Sequence, residues 1–94
     1  MPSIANLPEN ERNDIQARLK RIEGQARGVQ RMVDEGRDCV DILNQLAAIK
    51  AAVNGLTGGL LEAYMLRCMQ HPEDFPSPEL AVEEAVRALV RAGR

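Results

Sequence analysis

The chain has no tryptophan, one tyrosine, one phenylalanine and one histidine among 94 residues. A compact monomeric core usually wants more aromatic volume than that. Packing must instead come from Ala, Leu, Val and Ile, which suit helix–helix seams. A chain this short is one domain at most, here taken as residues 1–94, and it gains from association. No stretch approaches the ~18 uninterrupted apolar residues of a membrane span. No basic segment followed by an apolar run opens the sequence, as a secretory signal would. We therefore expect a cytoplasmic protein with no membrane partner. Only two cysteines are present, and in a reducing compartment they point to metal, redox or packing roles rather than a structural disulfide. There is no Gly-rich phosphate loop, no paired-carboxylate constellation and no Ser/His/Asp set in a meaningful context. An enzyme is not expected, nor a catalytic residue or a required cofactor.

What is there is helical periodicity. Residues 1–7 look like a loose arm. A first helix is expected over about 8–36, with Pro8 in its first turn and Glu9 and Glu11 favourable at that end of the dipole. Ile15, Leu19, Ile22, Ala26, Val29 and Val33 follow with spacings 4-3-4-3-4, an unbroken a/d seam. Gly36 is a plausible stop. A second helix, capped by Asp38, is expected over 38–70. Its seam runs Ile42, Leu46, Ile49, Val53, Leu56, Leu60 and passes through Asn54-Gly55 and Gly58-Gly59 without changing register. Each Gly costs roughly 1 kcal/mol against Ala, which suggests close backbone approach to a neighbouring helix. Pro72 disfavours helix at His71. Ser77-Pro78 is an N-cap and N1 pair for a third helix over 77–92. The fold class is all-α, three helices per chain. These helices cannot close a core alone, and two antiparallel copies of a long hairpin make a four-helix bundle, so a dimer is the expected minimum.

Cys39 and Cys68 lie 29 residues apart on the second helix. A straight helix separates them by about 43 Å at ~1.5 Å per residue, whereas a disulfide needs α-carbons within roughly 7 Å. The two thiols of one chain therefore cannot meet. In an antiparallel dimer, Cys39 of one subunit can face Cys68 of its partner. The plain alternative is that both are small buried apolar residues. Cys39 sits in a helix's first turn, where reactive cysteines recur; Arg37 and Arg67 are basic neighbours, while Asp38 and Asp41 oppose them.

The formal charge of −2 argues against a nucleic-acid binder as a whole, but the charge is unevenly spread. Between Ile15 and Val33 the charged residues are Arg18, Lys20, Arg21, Arg27 and Arg31 against Glu23 alone, while the acids collect before and after this stretch. At ~100° per residue, Lys20, Arg27 and Arg31 lie nearly opposite the seam, with Arg18 and Arg21 flanking it. An ordinary solvated face and a phosphate-contacting stripe multiplied by oligomerisation both fit. No helix-turn-helix, zinc-finger or basic-zipper pattern is present. His71 is three residues after Cys68 and is either exposed or a metal ligand. Two thiols and one imidazole do not complete a tetrahedral zinc site.

The stretch RLKRIEGQARGVQRM, from Arg18 to Met32, resembles the first helix of the CsoR/RcnR/FrmR family of metal- and thiol-sensing repressors. CVDILNQLAAIKAAVNGL, from Cys39 to Leu56, resembles the start of that family's second helix. The resemblance covers nearly the whole chain. It implies an antiparallel four-helix-bundle dimer pairing into a homotetramer, a dimer of dimers. It also implies operator DNA as partner, bound without a helix-turn-helix and released when an inducer occupies the inter-subunit site. Arg18 matches a family DNA-binding arginine; Lys20, Arg21, Arg27, Arg31 and Lys50 are further candidates by charge and position. The family's copper sensors carry a Cys-His-Cys set. Cys39 and Cys68 match its thiols, and Tyr64 stands where the His would be. A neutral phenol is a poor ligand for a soft cuprous ion. Two thiols without the His resemble the persulfide-sensing (CstR-like) branch, in which reactive sulfur species bridge the pair between subunits. Copper(I) held by Cys39 and Cys68 is the alternative, and a formaldehyde sensor using Cys39 and Pro2 a more distant one. Glu84 aligns with a family glutamate linking the sensor pocket to DNA affinity, and Tyr64 lies in the same pocket.

Overall fold

Caps written in the sequence define where each helix begins and ends. A computed structural model describes residues 3–75 and 77–92. Its elements are α1 (Glu9–Asp34), α2 (Cys39–Gln70) and α3 (Pro78–Ala92), with 3-10 turns at Ile4–Asn6 and Pro72–Asp74 and no strand among the described residues. Pro8 stands just outside α1 instead of in its first turn. Its carbonyl accepts the N–H groups of Glu11 and Arg12, each at 3.1 Å. α1 stops at Asp34, two residues before the expected end, because Gly36 turns left-handed at φ +67°. There Gly36 N–H donates to Val33 O at 3.1 Å and Arg37 N–H to Met32 O at 2.9 Å, the bond pair of a Schellman stop. Asp38 caps α2, its Oδ2 accepting Val40 N–H at 3.2 Å. Ser77 caps α3, its Oγ accepting Leu80 N–H at 3.4 Å.

α2 runs unbroken through Gly55, Gly58 and Gly59. A Cβ added at any of the three meets nothing within 4 Å. The close approach by a neighbouring helix that these glycines suggested is therefore not made among the described residues.

The contacts gather into two compact units. Unit 1 holds the N-terminal residues through Arg12 together with Thr57 onward; unit 2 is Asn13–Leu56. Unit 1 contains the buried residues Leu7, Cys68, Phe75, Ala81 and Ala85. Of the described residues of the arm expected to be loose, Leu7 joins this core. Ile4–Asn6 forms a 3-10 turn capped by Ser3, and Leu7 is buried because it finds an apolar wall. Ile4, Leu7, Leu60, Leu61, Ala85 and Leu89 surround a common cavity of about 340 Å³.

Unit 2 pairs α1 with the first half of α2, and here the expected seams divide in two. Ile15, Ile22 and Val29 of α1, and Ile42, Ile49 and Leu56 of α2, are half-buried. The alternate members Leu19, Ala26 and Val33, and Leu46 and Val53, are exposed. Gln25, Gly28, Met32 and Ala52 take the inward positions in their place. Two helices alone cover only one side of each seam, so the other side keeps an apolar strip. Val40 and Leu43 extend the strip on α2, at 59% and 62% exposure.

Candidate functional site

The end of α2 and the start of α3 bring together three of the residues singled out by sequence. Cys68 is 2% exposed and clusters with Phe75 and Ala81, with Tyr64 and Val82 packed against them. Tyr64 lies one helical turn before Cys68, so both project to the same side of α2. Its ring meets Phe75 edge-on, centroids 5.7 Å apart at 89°, the arrangement aromatic quadrupoles favour. Its hydroxyl donates a long hydrogen bond, 3.4 Å, to the Ala81 carbonyl of α3. Burial, and then the nearby Cys68 and Glu84, push the Tyr64 phenol above its ordinary range. Glu84, half-buried on α3, is thus electrostatically within reach of the same ring.

Cys39 is placed differently. It is the first residue of α2 and is exposed, whereas Cys68 stands two residues before that helix ends and is buried. Both are in the thiol form. The two cysteines thus stand near opposite ends of α2 in sequence. Among the described residues no three His, Cys, Asp or Glu side chains are grouped to hold a metal ion. His71 follows α2 and faces Glu73, with Nδ1 and Oε1 3.2 Å apart. The turn's own backbone N–H and then His71 lower the Glu73 carboxyl. Pro2 lies outside the described residues.

Sequence reasoning missed the residues that cover Cys68. Phe75, the chain's one phenylalanine, is 5% exposed in the connector after α2. An aromatic set among His71, Pro72, Glu73 and Asp74 was the available signal, since an isolated Phe in a polar segment needs a place to bury. Arg67 was read only as a basic neighbour. Its Nη2 is 2.8 Å from Asp74 Oδ2, while its Nε is buried without a hydrogen-bond partner.

The basic candidates fall on unit 2. Arg18 and Arg21 share a polar groove of about 440 Å³ with Asp14, Gln25, Ala52 and Gly55. Arg18 Nε donates to Asp14 Oδ2 at 3.1 Å, and Arg27 Nη1 to Glu23 Oε1 at 2.7 Å. These are one-turn pairs on exposed helix, worth only about 0.3–0.5 kcal/mol, so a phosphate can displace the acid at little cost. Lys20, Arg31 and Lys50 are exposed.

No helix of the described residues is long and apolar enough to cross a membrane. The sequence profile of a family described as metal-sensitive transcriptional repressor matches residues 11–91. The chain is 43% identical over 82 residues to the copper-sensing transcriptional repressor CsoR of Bacillus subtilis (strain 168), covering 87% of this chain and 81% of that one. The structure of the copper-sensing repressor CsoR with Cu(I) from Geobacillus thermodenitrificans NG80-2 is similar at a TM-score of 0.80 and 36% identity, over 100% of this chain and 94% of the other. The nickel-responsive transcriptional regulator InrS is similar at a TM-score of 0.69 and 34% identity, over 84% of this chain and 89% of the other.

Proposed function

The chain belongs to the family of metal-sensitive transcriptional repressors, and on that footing we propose that it binds operator DNA as a homotetramer and releases it when reactive sulfur species join Cys39 of one subunit to Cys68 of another. The single observation that carries the choice of inducer is Tyr64. The side chain one turn before Cys68 is a phenol, neutral at physiological pH and hydrogen-bonded to the Ala81 carbonyl. It offers a soft metal nothing, and it leaves two thiols as the reactive groups.

The chemistry needs no third residue. The exposed Cys39 thiolate attacks the outer sulfur of a persulfide RSSH, forms a Cys39 persulfide and releases RSH. The partner's Cys68 thiolate then attacks the Cys39 Sγ and expels hydrosulfide. Two thiols and RSSH thereby become one inter-subunit disulfide, RSH and hydrogen sulfide. Trapping of a second persulfide sulfur gives the longer bridge. Assembly is favoured by the apolar strips on α1 and α2, which unit 2 leaves uncovered. The basic residues of α1 and Lys50 supply phosphate contacts, repeated by the copies.

Treatment of the reduced protein with inorganic polysulfide, followed by non-reducing electrophoresis and intact mass, is the direct test. A covalent dimer, carrying added sulfur where the longer bridge forms and absent in Cys39→Ser and in Cys68→Ser, is expected. Failure to cross-link removes the sulfur reading. Arg18→Glu should abolish operator binding without changing the oligomer; unchanged affinity returns the basic face to simple solvation.

Copper(I) is the second reading, favoured by the similarity to the two copper-sensing repressors. Cys39 and Cys68 of different subunits would then bind the ion as two thiolates, a soft donor pair suited to it. Tight cuprous binding by the reduced protein, with no polysulfide cross-link, would decide for it.

A further inference from the structure

Cys68 has to emerge before it can react with anything, and its cover comes from Ala81 of α3 and from Phe75 on the short connector after α2. Phe75 packs on Cys68 and on the Tyr64 ring. The connector is folded locally, with Asp74 N–H on His71 O at 3.0 Å and Phe75 N–H on Pro72 O at 3.1 Å. At its start the connector is tied to α2 by His71 N–H on Arg67 O at 2.8 Å. Farther along, at the residue before Phe75, the tie to α2 is the Arg67 guanidinium, which reaches from the last turn of the helix to Asp74.

We propose that Arg67 is a positioning residue for the thiol site: through its 2.8 Å ion pair with Asp74 it holds Phe75 over Cys68 and sets how often that sulfur becomes accessible. The two side chains are 27% and 37% exposed, sheltered enough for the pair to matter and wet enough for it to open. The closed position also leaves Arg67 Nε buried without an acceptor. Native structures rarely tolerate such a donor without a reason. Opening the connector returns this N–H to water, so the pair's attraction is partly offset and the closed state is only modestly favoured. Arg67 and Cys68 are adjacent in sequence and project in different directions on the helix. The arginine therefore acts on the thiol through the connector rather than by touching it.

The inference bears on the site read above as a sulfur sensor, but its test uses a probe that carries no sulfur. In a Cys39→Ser background, the reduced full-length protein is labelled with N-ethylmaleimide and Cys68 modification is followed by mass. Asp74→Asn, which keeps shape and removes charge, should speed labelling about fivefold, the loss of one modest ion pair. The exchanged pair Arg67→Asp with Asp74→Arg should return the rate to within about twofold of the parent, which a general loosening of the fold would not do. Added salt should accelerate labelling of the parent but not of Asp74→Asn, because only the parent has the ion pair to screen. An unchanged rate in Asp74→Asn, an exchanged pair as fast as the single variant, or equal salt dependence in both proteins overturns the proposal. A missing polysulfide cross-link would leave these rates standing, and flat rates would leave the cross-link standing.

Discussion

Replacing Phe75 with alanine tests the packing of the thiol site at its largest side chain. Phe75 is 5% exposed and contacts Cys68, Ala81 and Tyr64. Removal of a buried Phe ring costs about 3–5 kcal/mol, the spread depending on how far the site collapses. Neighbours here are small or mobile, so the low end, about 3 kcal/mol, is expected. The edge-on contact with Tyr64 accounts for about 0.5–1.5 kcal/mol of this. Phe75→Leu keeps apolar volume and should cost about 1 kcal/mol. Urea unfolding followed by circular dichroism measures both, at one fixed protein concentration because association adds to apparent stability. Tyrosine emission is a second, local probe, since Tyr64 is the one tyrosine and there is no tryptophan. The expected order is parent, then Leu, then Ala, with the Tyr64 signal changing most in Ala. If both variants fall within about 0.5 kcal/mol of the parent, as substitutions on an open surface do, Phe75 does not cover Cys68 and the site as described is wrong.

Other outcomes follow from the same geometry. The Tyr64 phenol is raised above 10.0, so the folded chain keeps its proton where the unfolded chain has lost it. The stability this contributes is whole below the ordinary value and lost as pH rises through the raised one; a pH series of melting temperatures should show this alkaline fall, and Tyr64→Phe should flatten it. Gly36→Ala places a side chain at φ +67°, which costs about 1–2 kcal/mol and should lower the urea midpoint although nothing crowds the new Cβ. Tyr64→His supplies an imidazole one turn from Cys68, so cuprous affinity measured by competition with a chelator should rise at least tenfold; no change would mean that position 64 does not face the thiols. Arg21→Glu should weaken operator binding and make it less salt-dependent, read by fluorescence anisotropy.

The helices were legible because local chemistry decides them: 4-3 spacing, Asp38 and Ser77 as caps, Gly36 as a stop. Which partner each seam residue meets was not. Ile22 and Leu19 look alike in a periodic pattern, yet one faces α2 and the other faces outward, because spacing records that a residue is to be covered and not by whom. The arm was misjudged for a related reason. Ile4 and Leu7 are too few to show a period, and the burial of Leu7 depends on walls contributed from far along the chain. Cys68 and Tyr64 were paired correctly by one helical turn, a local relation. Phe75 and the Arg67–Asp74 pair were not anticipated, since they arise where the chain reverses after α2 and sequence distance no longer measures contact.

Cys68 is one of the five buried residues that make up the described core. On the function proposed above, the atom that receives a chemical signal is therefore also a structural one. Adding even a single sulfur enlarges a side chain already enclosed by Phe75 and Ala81, and an overfilled core costs about 1–3 kcal/mol. Modification of Cys68 would strain its packing against Phe75 and Ala81, and relief comes from moving α3 or from driving the thiol out from beneath its cover. On that function, detection and mechanical response begin as one event.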